Sequence, residues 1–236
     1  MAHYNQKPHI LAVETSGRFG SVAIASSEHL IAEIVFQKPL QHSAEIFPSI
    51  NKLLEGCKKK PKDIQHIYIS TGPGSFTGLR IAVTLAKSMH LANQTKIVAV
   101  NTLDVIAQNA NDSPDDRIAV ILDAKRGQFF VAVYTRTDGS SAVNPWQRTS
   151  PDSLMTSSEF IQLHCNSAKP IRLLGEGLVY YKNKFETPGI HILDERYWYP
   201  RSFHVHRLGW ELSQKGRFAD PVSLSPHYLR KPDTKV

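Results

Sequence analysis

The chain has 236 residues, 41% hydrophobic and 21% charged, a globular composition long enough for one large domain or two lobes that each bury a core. Residues 1–9 lack the apolar centre of a secretory signal, and no run approaches the ~18 apolar residues that span a bilayer; a soluble, cytoplasmic protein with no membrane partner is expected. Two cysteines, Cys57 and Cys165, exclude a disulfide framework or a metal quartet, and a formal charge of +7 favours a polyanion or an acidic protein as partner.

In chain order, residues 10–13, 20–26 and 29–36 are short apolar runs separated by turns and predict a three-stranded meander. Ile46, Phe47, Ile50, Leu53 and Leu54 then recur at i, i+1, i+4, i+7 and i+8, one face of a helix. Gly56 is its expected stop, and Pro48 predicts a kink or a late start. The basic run Lys58, Lys59, Lys60 and Lys62 reads first as a solvated loop after that helix. A strand at 64–70, the turn Gly72-Pro73-Gly74-Ser75-Phe76-Thr77-Gly78, a helix at 79–92 and a strand at 96–100 make a β-α-β unit. That helix is apolar nearly all round (Leu79, Ile81, Ala82, Val83, Leu85, Ala86, Met89), so it is expected to be covered by its own sheet and by something else, for which another chain qualifies.

The turn formers at 111–116 mark the expected boundary between an N-terminal lobe, 1–110, and a smaller or degenerate C-terminal lobe, 111–236. Strands at 118–123 and 129–135, a helix at 158–163, a strand at 171–174 before Gly175-Glu176-Gly177, and a helix at 202–215 follow. The halves resemble each other: a strand ending in Glu14 turns back as Ser21-Val22-Ala23-Ile24, and a strand ending in Asp123 turns back as Val131-Ala132-Val133. A duplicated β-β-β-α-β-α unit predicts an α/β protein of the actin-like ATPase (ASKHA, ribonuclease H-like) fold, in which ligands bind between two lobes.

The glycine turn is the most specific signal in the chain. Glycines between strand and helix let the backbone turn sharply and aim N–H groups at an anion. A P-loop needs Gly-Lys-Ser/Thr, whereas Gly78 is followed by Leu79 and Arg80. A dinucleotide fingerprint needs a glycine where Thr77 stands and an acid where Asn101 ends the next strand. A nucleophile elbow needs acid-base partners that no spacing supplies, so Ser75 reads as a helix cap. Gly72, Pro73, Gly74, Ser75, Thr77, Gly78 and Arg80 therefore form either an anion turn or a tight helix-to-sheet connection, and both readings stay open.

The string Ser70-Thr71-Gly72-Pro73-Gly74-Ser75-Phe76-Thr77-Gly78-Leu79-Arg80-Ile81-Ala82, preceded by His42-Ser43-Ala44-Glu45, resembles the TsaB (YeaZ) family. Glu14-Thr15-Ser16, Asp123-Ala124-Lys125-Arg126-Gly127-Gln128 and Pro226-His227-Tyr228-Leu229-Arg230 extend the resemblance nearly end to end. It implies a non-catalytic paralogue of the transferase TsaD, acting as scaffold and activator in forming threonylcarbamoyladenosine beside the anticodon of tRNAs that read ANN codons. It further implies a TsaD-like partner, a TsaE-like ATPase in the assembled complex, a homodimer when alone, and tRNA met only indirectly.

The resemblance places partner contacts on the two helices, at His42, Ser43, Ile46, Phe47, Ile50, Leu79, Val83, Ala86 and Lys87. Glu14, Thr15, Ser16 and Asp123 are the candidate cleft residues. The catalytic relative carries two metal-binding histidines at positions that here read Thr102 and Ile106. Isoleucine offers no lone pair and threonine is a poor ligand without help, so no catalytic or metal residue is assigned. The chain is expected to hold no cofactor of its own, with ATP and a metal ion in the partner subunit. None of the eleven histidines restores the pair; His204 and His206, two apart, share no helical face and read as structural or surface residues. The competing readings are a free-standing actin-fold ATPase or phosphotransferase using Glu14, Asp123 and the glycine segments, and a nicotinamide-dependent oxidoreductase.

Overall fold

Strand β1 (His9–Glu14) lies at the centre of the first sheet, flanked by antiparallel β2 (Ser21–Ser26) and parallel β4 (His66–Gly72). β3 (His29–Val35) and β5 (Lys96–Asn101) complete the order β3-β2-β1-β4-β5. The computed structural model describes residues 7–137, 144–165 and 170–229. β1 is apolar on both faces because both are covered. Leu11 and Val13 share a core with residues of α1 (His42–Gly56) and α2 (Phe76–Asn93), while Ile10 and Ala12 pack in a second core with Val205 and Leu208 of the last helix.

The second sheet repeats the plan. β6 (Arg117–Asp123) pairs antiparallel with β7 (Gln128–Arg136) and parallel with β10 (Ile171–Leu174), which carries β11 (Ile190–Ile192) on its far side. The short strands β8 (Trp146–Arg148) and β9 (Ser153–Thr156) both pair with β7. α4 (Ser157–His164) and α5 (Leu178–Tyr181) occupy the places of α1 and α2. The lobes thus have the duplicated actin-like plan, and each β-β-β-α-β-α unit runs on for one more strand and helix; β5 and the last helix were expected from the sequence, the helix after β5 and strand β11 were not.

Those extra helices are exchanged. α3 (Thr102–Ala107) follows β5 but contributes Leu103, Ile106 and Ala107 to the core of the second lobe. α6 (Ser202–Gln214) follows β11 but packs on the first sheet, where Ser202 N–H donates to Ser21 Oγ (2.8 Å) and His206 Nε2 meets Ser27 O (2.8 Å). Residues 202–214, although late in the chain, therefore belong to the packing of the first lobe. His206 is structural, stacked on the buried ring of Tyr68.

Two local expectations change. α1 begins at His42, so there is no late start and Pro48 stands in its interior. The helix ends at Gly56 as expected, but the reversal that closes it does not fall on the glycine. The helix closes instead on Lys58, at φ +54°, with Lys58 N–H donating to Glu55 O (3.0 Å) and Lys59 N–H to Leu54 O (2.8 Å); this is the paired reversal of a Schellman ending with lysine in the place glycine usually holds. α2 begins at Phe76, three residues earlier than the apolar pattern predicts, because Ser75 caps it by accepting from Gly78 N–H (3.3 Å). No helix among the described residues is long and apolar enough to cross a membrane.

Candidate functional site

Because β1 and β4 run parallel, as do β6 and β10, the turns after all four strands open on one side of their sheets, the usual place for a ligand crevice in α/β proteins. They meet at a cleft of about 570 Å³ between the lobes. Ser16 and the Pro73–Phe76 segment wall it from the first lobe, and Asp123, Lys125, Glu176 and Tyr180 from the second.

On the first-lobe side the glycine turn is packed against the turn that follows β1. A Cβ on Gly78 would lie 1.8 Å from Thr15 O, so only glycine allows this approach. Thr15 Oγ1 donates to Gly78 O (2.7 Å) and Ser75 N–H to Ser16 O (2.7 Å). The amides of Ser75 and Gly78 are therefore engaged within the chain, which favours the tight-connection reading of the turn over an anion cradle. Glu14 lies fully buried beneath it, accepting from Ser16 N–H (2.6 Å) and from the hydroxyls of Ser16 and Ser70. Burial raises its carboxyl above the usual range, against the opposing effect of these hydrogen bonds. Of the four candidate cleft residues, Ser16 and Asp123 line the cavity, while Glu14 and Thr15 support its floor from within.

On the second-lobe side Asp123 accepts from Lys125 N–H (2.7 Å) and Lys125 Nζ (2.8 Å), which raises the lysine's pKa. Gly175, at φ +118° with Ile121 O 2.2 Å from where a Cβ would stand, folds its turn against β6. That closeness aims Glu176 across the cleft, where both carboxylate oxygens accept from Arg18 N–H (2.8 and 2.9 Å). The Arg18 guanidinium meets Tyr180 Oη (2.5 Å). Burial, with a smaller contribution from the charge on Glu14, pushes the Glu176 carboxyl up to about 7.

The chain after α6 returns over the first lobe as a strap. Ala219 N–H donates to Ile97 O (2.8 Å), Leu224 is buried in the first core, and His227 N–H donates to Thr71 O (2.7 Å). Tyr228 stacks on Phe76 with ring centroids 5.0 Å apart, and its hydroxyl accepts from Arg80 Nε (3.3 Å). Arg80 is thus held over the Phe76 ring, 3.7 Å from its centroid. His227, Tyr228 and Leu229 line the cleft; Arg230 lies outside the described residues.

The residues corresponding to a metal pair do not fit a metal. Thr102 is fully buried, with its hydroxyl unpartnered among the described residues, and Ile106 belongs to the apolar core of the second lobe. A hydrocarbon facing hydrocarbon leaves the threonine without a second ligand.

The nine helix residues assigned to partner contact divide by burial. His42, Ile46, Ile50, Leu79, Val83 and Ala86 are buried in the chain's own fold, and His42 Nε2 holds Gly17 O at 2.9 Å. Ser43 and Phe47 are exposed, and half-buried Lys87 donates to Val222 O (3.3 Å). The remaining large apolar residues of α2, Ile81, Leu85 and Met89, are half-buried at the margin of the first core, against which they pack. Sequence reasoning did not single out Arg18, Glu176 or Tyr228 as site residues. An acid between two glycines at a strand end was the available signal for Glu176; for Arg18, whose backbone amide is what matters, there was none.

The profile of the family described as "TsaD: tRNA N6-adenosine threonylcarbamoyltransferase" matches residues 30–185. The "tRNA threonylcarbamoyladenosine biosynthesis protein TsaB" of Bacillus subtilis is 31% identical over 225 residues, covering 94% of this chain and 93% of that protein. The Escherichia coli protein of the same description is 30% identical over 130 residues, 55% of this chain and 56% of that one. Among solved structures, "YeaZ from Pseudomonas aeruginosa" superposes with a TM-score of 0.78 at 21% identity, over 94% of this chain and all of that one, which shows a shared fold. The identity that runs the length of the Bacillus subtilis protein, on this two-lobed frame, places the chain in the TsaB (YeaZ) family.

Proposed function

We propose that the chain is a non-catalytic scaffold and activator that binds a TsaD-like transferase in threonylcarbamoyladenosine modification of tRNA. The observation that carries this reading is the pairing of near full-length TsaB similarity with Thr102 and Ile106 buried where a metal pair is expected. Exposed Phe47 on α1 and the half-buried Ile81, Leu85 and Met89 on α2 support an apolar docking face on these helices, since interface cores are built from apolar and aromatic side chains. A second copy would use this face when the transferase is absent, giving a homodimer, and a TsaE-like ATPase would join the assembled complex. ATP and the metal ion belong to the partner on this reading, and the setting is the cytoplasm.

The test is reconstitution. Adding the purified chain to a TsaD-like transferase, its ATPase and tRNA should switch on modification. Phe47→Glu, at an exposed position of α1, should weaken association at least about tenfold, as expected for a charge in an interface core, with the melting temperature unchanged. Absence of stimulation at saturating chain overturns the proposal. The ATPase reading draws on the cleft between Ser16 and Asp123; ATP turnover by the chain alone, lost in Asp123→Ala, would favour it instead.

A further inference from the structure

The end of the first sheet opposite the cleft gathers cations from three separated segments. Lys58, Lys59, Lys60 and Lys62 follow α1 and lead into β4; Lys96 opens β5; Lys215 and Arg217 follow α6. The parallel run of β1, β4 and β5 puts their starts side by side, and local contacts join the segments. Asn93 Nδ2 donates to Pro61 O (3.3 Å), Lys96 N–H to Gln65 O (2.8 Å), and Phe218 lies against His66 with Lys96 Nζ 4.9 Å from its ring centroid. All seven cations except half-buried Lys59 are exposed. None makes an ion pair with a described residue. Lys59 helps to lower the pKa of His9, and Lys96 that of His66, each after the larger effect of burial.

Helix ends do not account for this charge. The C-termini of α1, α2 and α6 meet here, and each carries about half a negative charge, so one or two cations suffice to balance them. Seven stand against the carboxylates of Glu55, Asp63 and Glu211. Six of the seven are lysines, which are depleted in protein–protein interfaces and serve as point charges for phosphates, which position a nucleic acid without reading its sequence.

We propose that this pole binds the phosphodiester backbone of structured RNA without sequence preference, at the end of the first lobe roughly 20 Å from the cleft by the rise of β4. The inference rests on the reading that the chain serves tRNA modification, and it adds a direct RNA contact where the family resemblance implies only an indirect one.

The experiment measures binding of purified tRNA to the full chain, alone and with its transferase partner, by fluorescence anisotropy across a salt series. Lys60→Gln/Lys62→Gln/Lys96→Gln is compared with the charge-matched control Lys38→Gln/Lys182→Gln/Lys184→Gln, both checked by thermal melting. The pole variant should lose about 2 from the slope of log affinity against log salt, given a slope of roughly 0.7–0.9 for each phosphate contact, and should bind tRNA at least about tenfold more weakly at low salt. The control should keep the wild-type slope. Equal losses in both variants, no loss in the pole variant, or no salt-dependent tRNA binding by wild type overturns the proposal. Intact tRNA binding with weakened binding to the transferase overturns it in favour of an acidic protein partner. Stimulation of the transferase at saturating tRNA is scored separately: if wild type fails there, the scaffold reading fails; if wild type stimulates while the pole variant binds tRNA unchanged, only the RNA surface fails.

Discussion

In the first lobe the turn after the fourth strand of the unit leads into 18 helical residues; in the second, Gly175-Glu176-Gly177 leads into four. The strands around those turns pair alike, antiparallel on one side of the central strand and parallel on the other. The long helix of the first lobe covers its sheet and leaves Ile81, Leu85 and Met89 half-buried at the core's margin. The corresponding helix of the second lobe is too short for such a surface, and its turn sends Glu176 across the cleft to the Arg18 amide. One strand plan thus carries a long apolar helix, proposed above as a docking face, in one copy and an interlobe latch in the other.

The sharpest way to break this comparison is at the paired glycines. Gly78→Ala places a methyl 1.8 Å from Thr15 O, backbone that cannot move aside, whereas Gly177→Ala meets its nearest atom, on the Phe129 side chain, at 3.1 Å. The first should cost roughly 3 kcal/mol or more and the second about 1 kcal/mol, as overpacking costs go, read by denaturant unfolding. Equal costs would show that the two turns are not packed as differently as described.

Gly209→Ala examines the helix exchange, because its Cβ would stand 2.5 Å from Tyr68 Cδ2 in the first sheet. A loss of about 2 kcal/mol is expected. A neutral result would detach α6 from the first lobe.

Glu176→Gln sharpens the latch. The folded-state pKa of Glu176, about 7, is raised, so its contribution to stability is full below the ordinary carboxyl range and is lost as pH rises from about 4.5 through 7. The amide removes that loss while its oxygen still accepts from Arg18. Stability at pH 8 relative to pH 5 should therefore improve by about 1 kcal/mol over wild type, a figure reduced for solvent screening at the cleft. An unchanged pH profile would place the proton elsewhere, with Glu14 the nearest candidate.

The smallest effect belongs to Lys58→Gly, which relieves a left-handed lysine at φ +54° and should raise stability by roughly 0.5–1 kcal/mol. Thermal melting checks it, and no gain would mean that the Schellman ending is frayed in solution.

What the linear chain determined was what neighbouring residues settle among themselves. Runs such as Ile10–Val13 and Ile118–Leu122 are apolar without interruption because both faces of their strands are covered, and that signal survives without knowing what covers them. The strand-to-helix glycine turn, the Ser75 cap and the duplicated acid-ended hairpins were legible for the same reason, whereas Thr102 and Ile106 drew attention only through the family resemblance. Tertiary structure decided everything that joins distant segments. Periodicity finds the apolar residues of a helix but does not say how deeply each is buried, so Leu79, Val83 and Ala86 proved to be fully core and Ile81, Leu85 and Met89 half-buried at its margin. The exchange of α3 and α6, the bond from Glu176 to the Arg18 amide 158 residues away and the meeting of three cationic segments at one end of the sheet depend on chain crossings, and a crossing leaves no local trace in sequence.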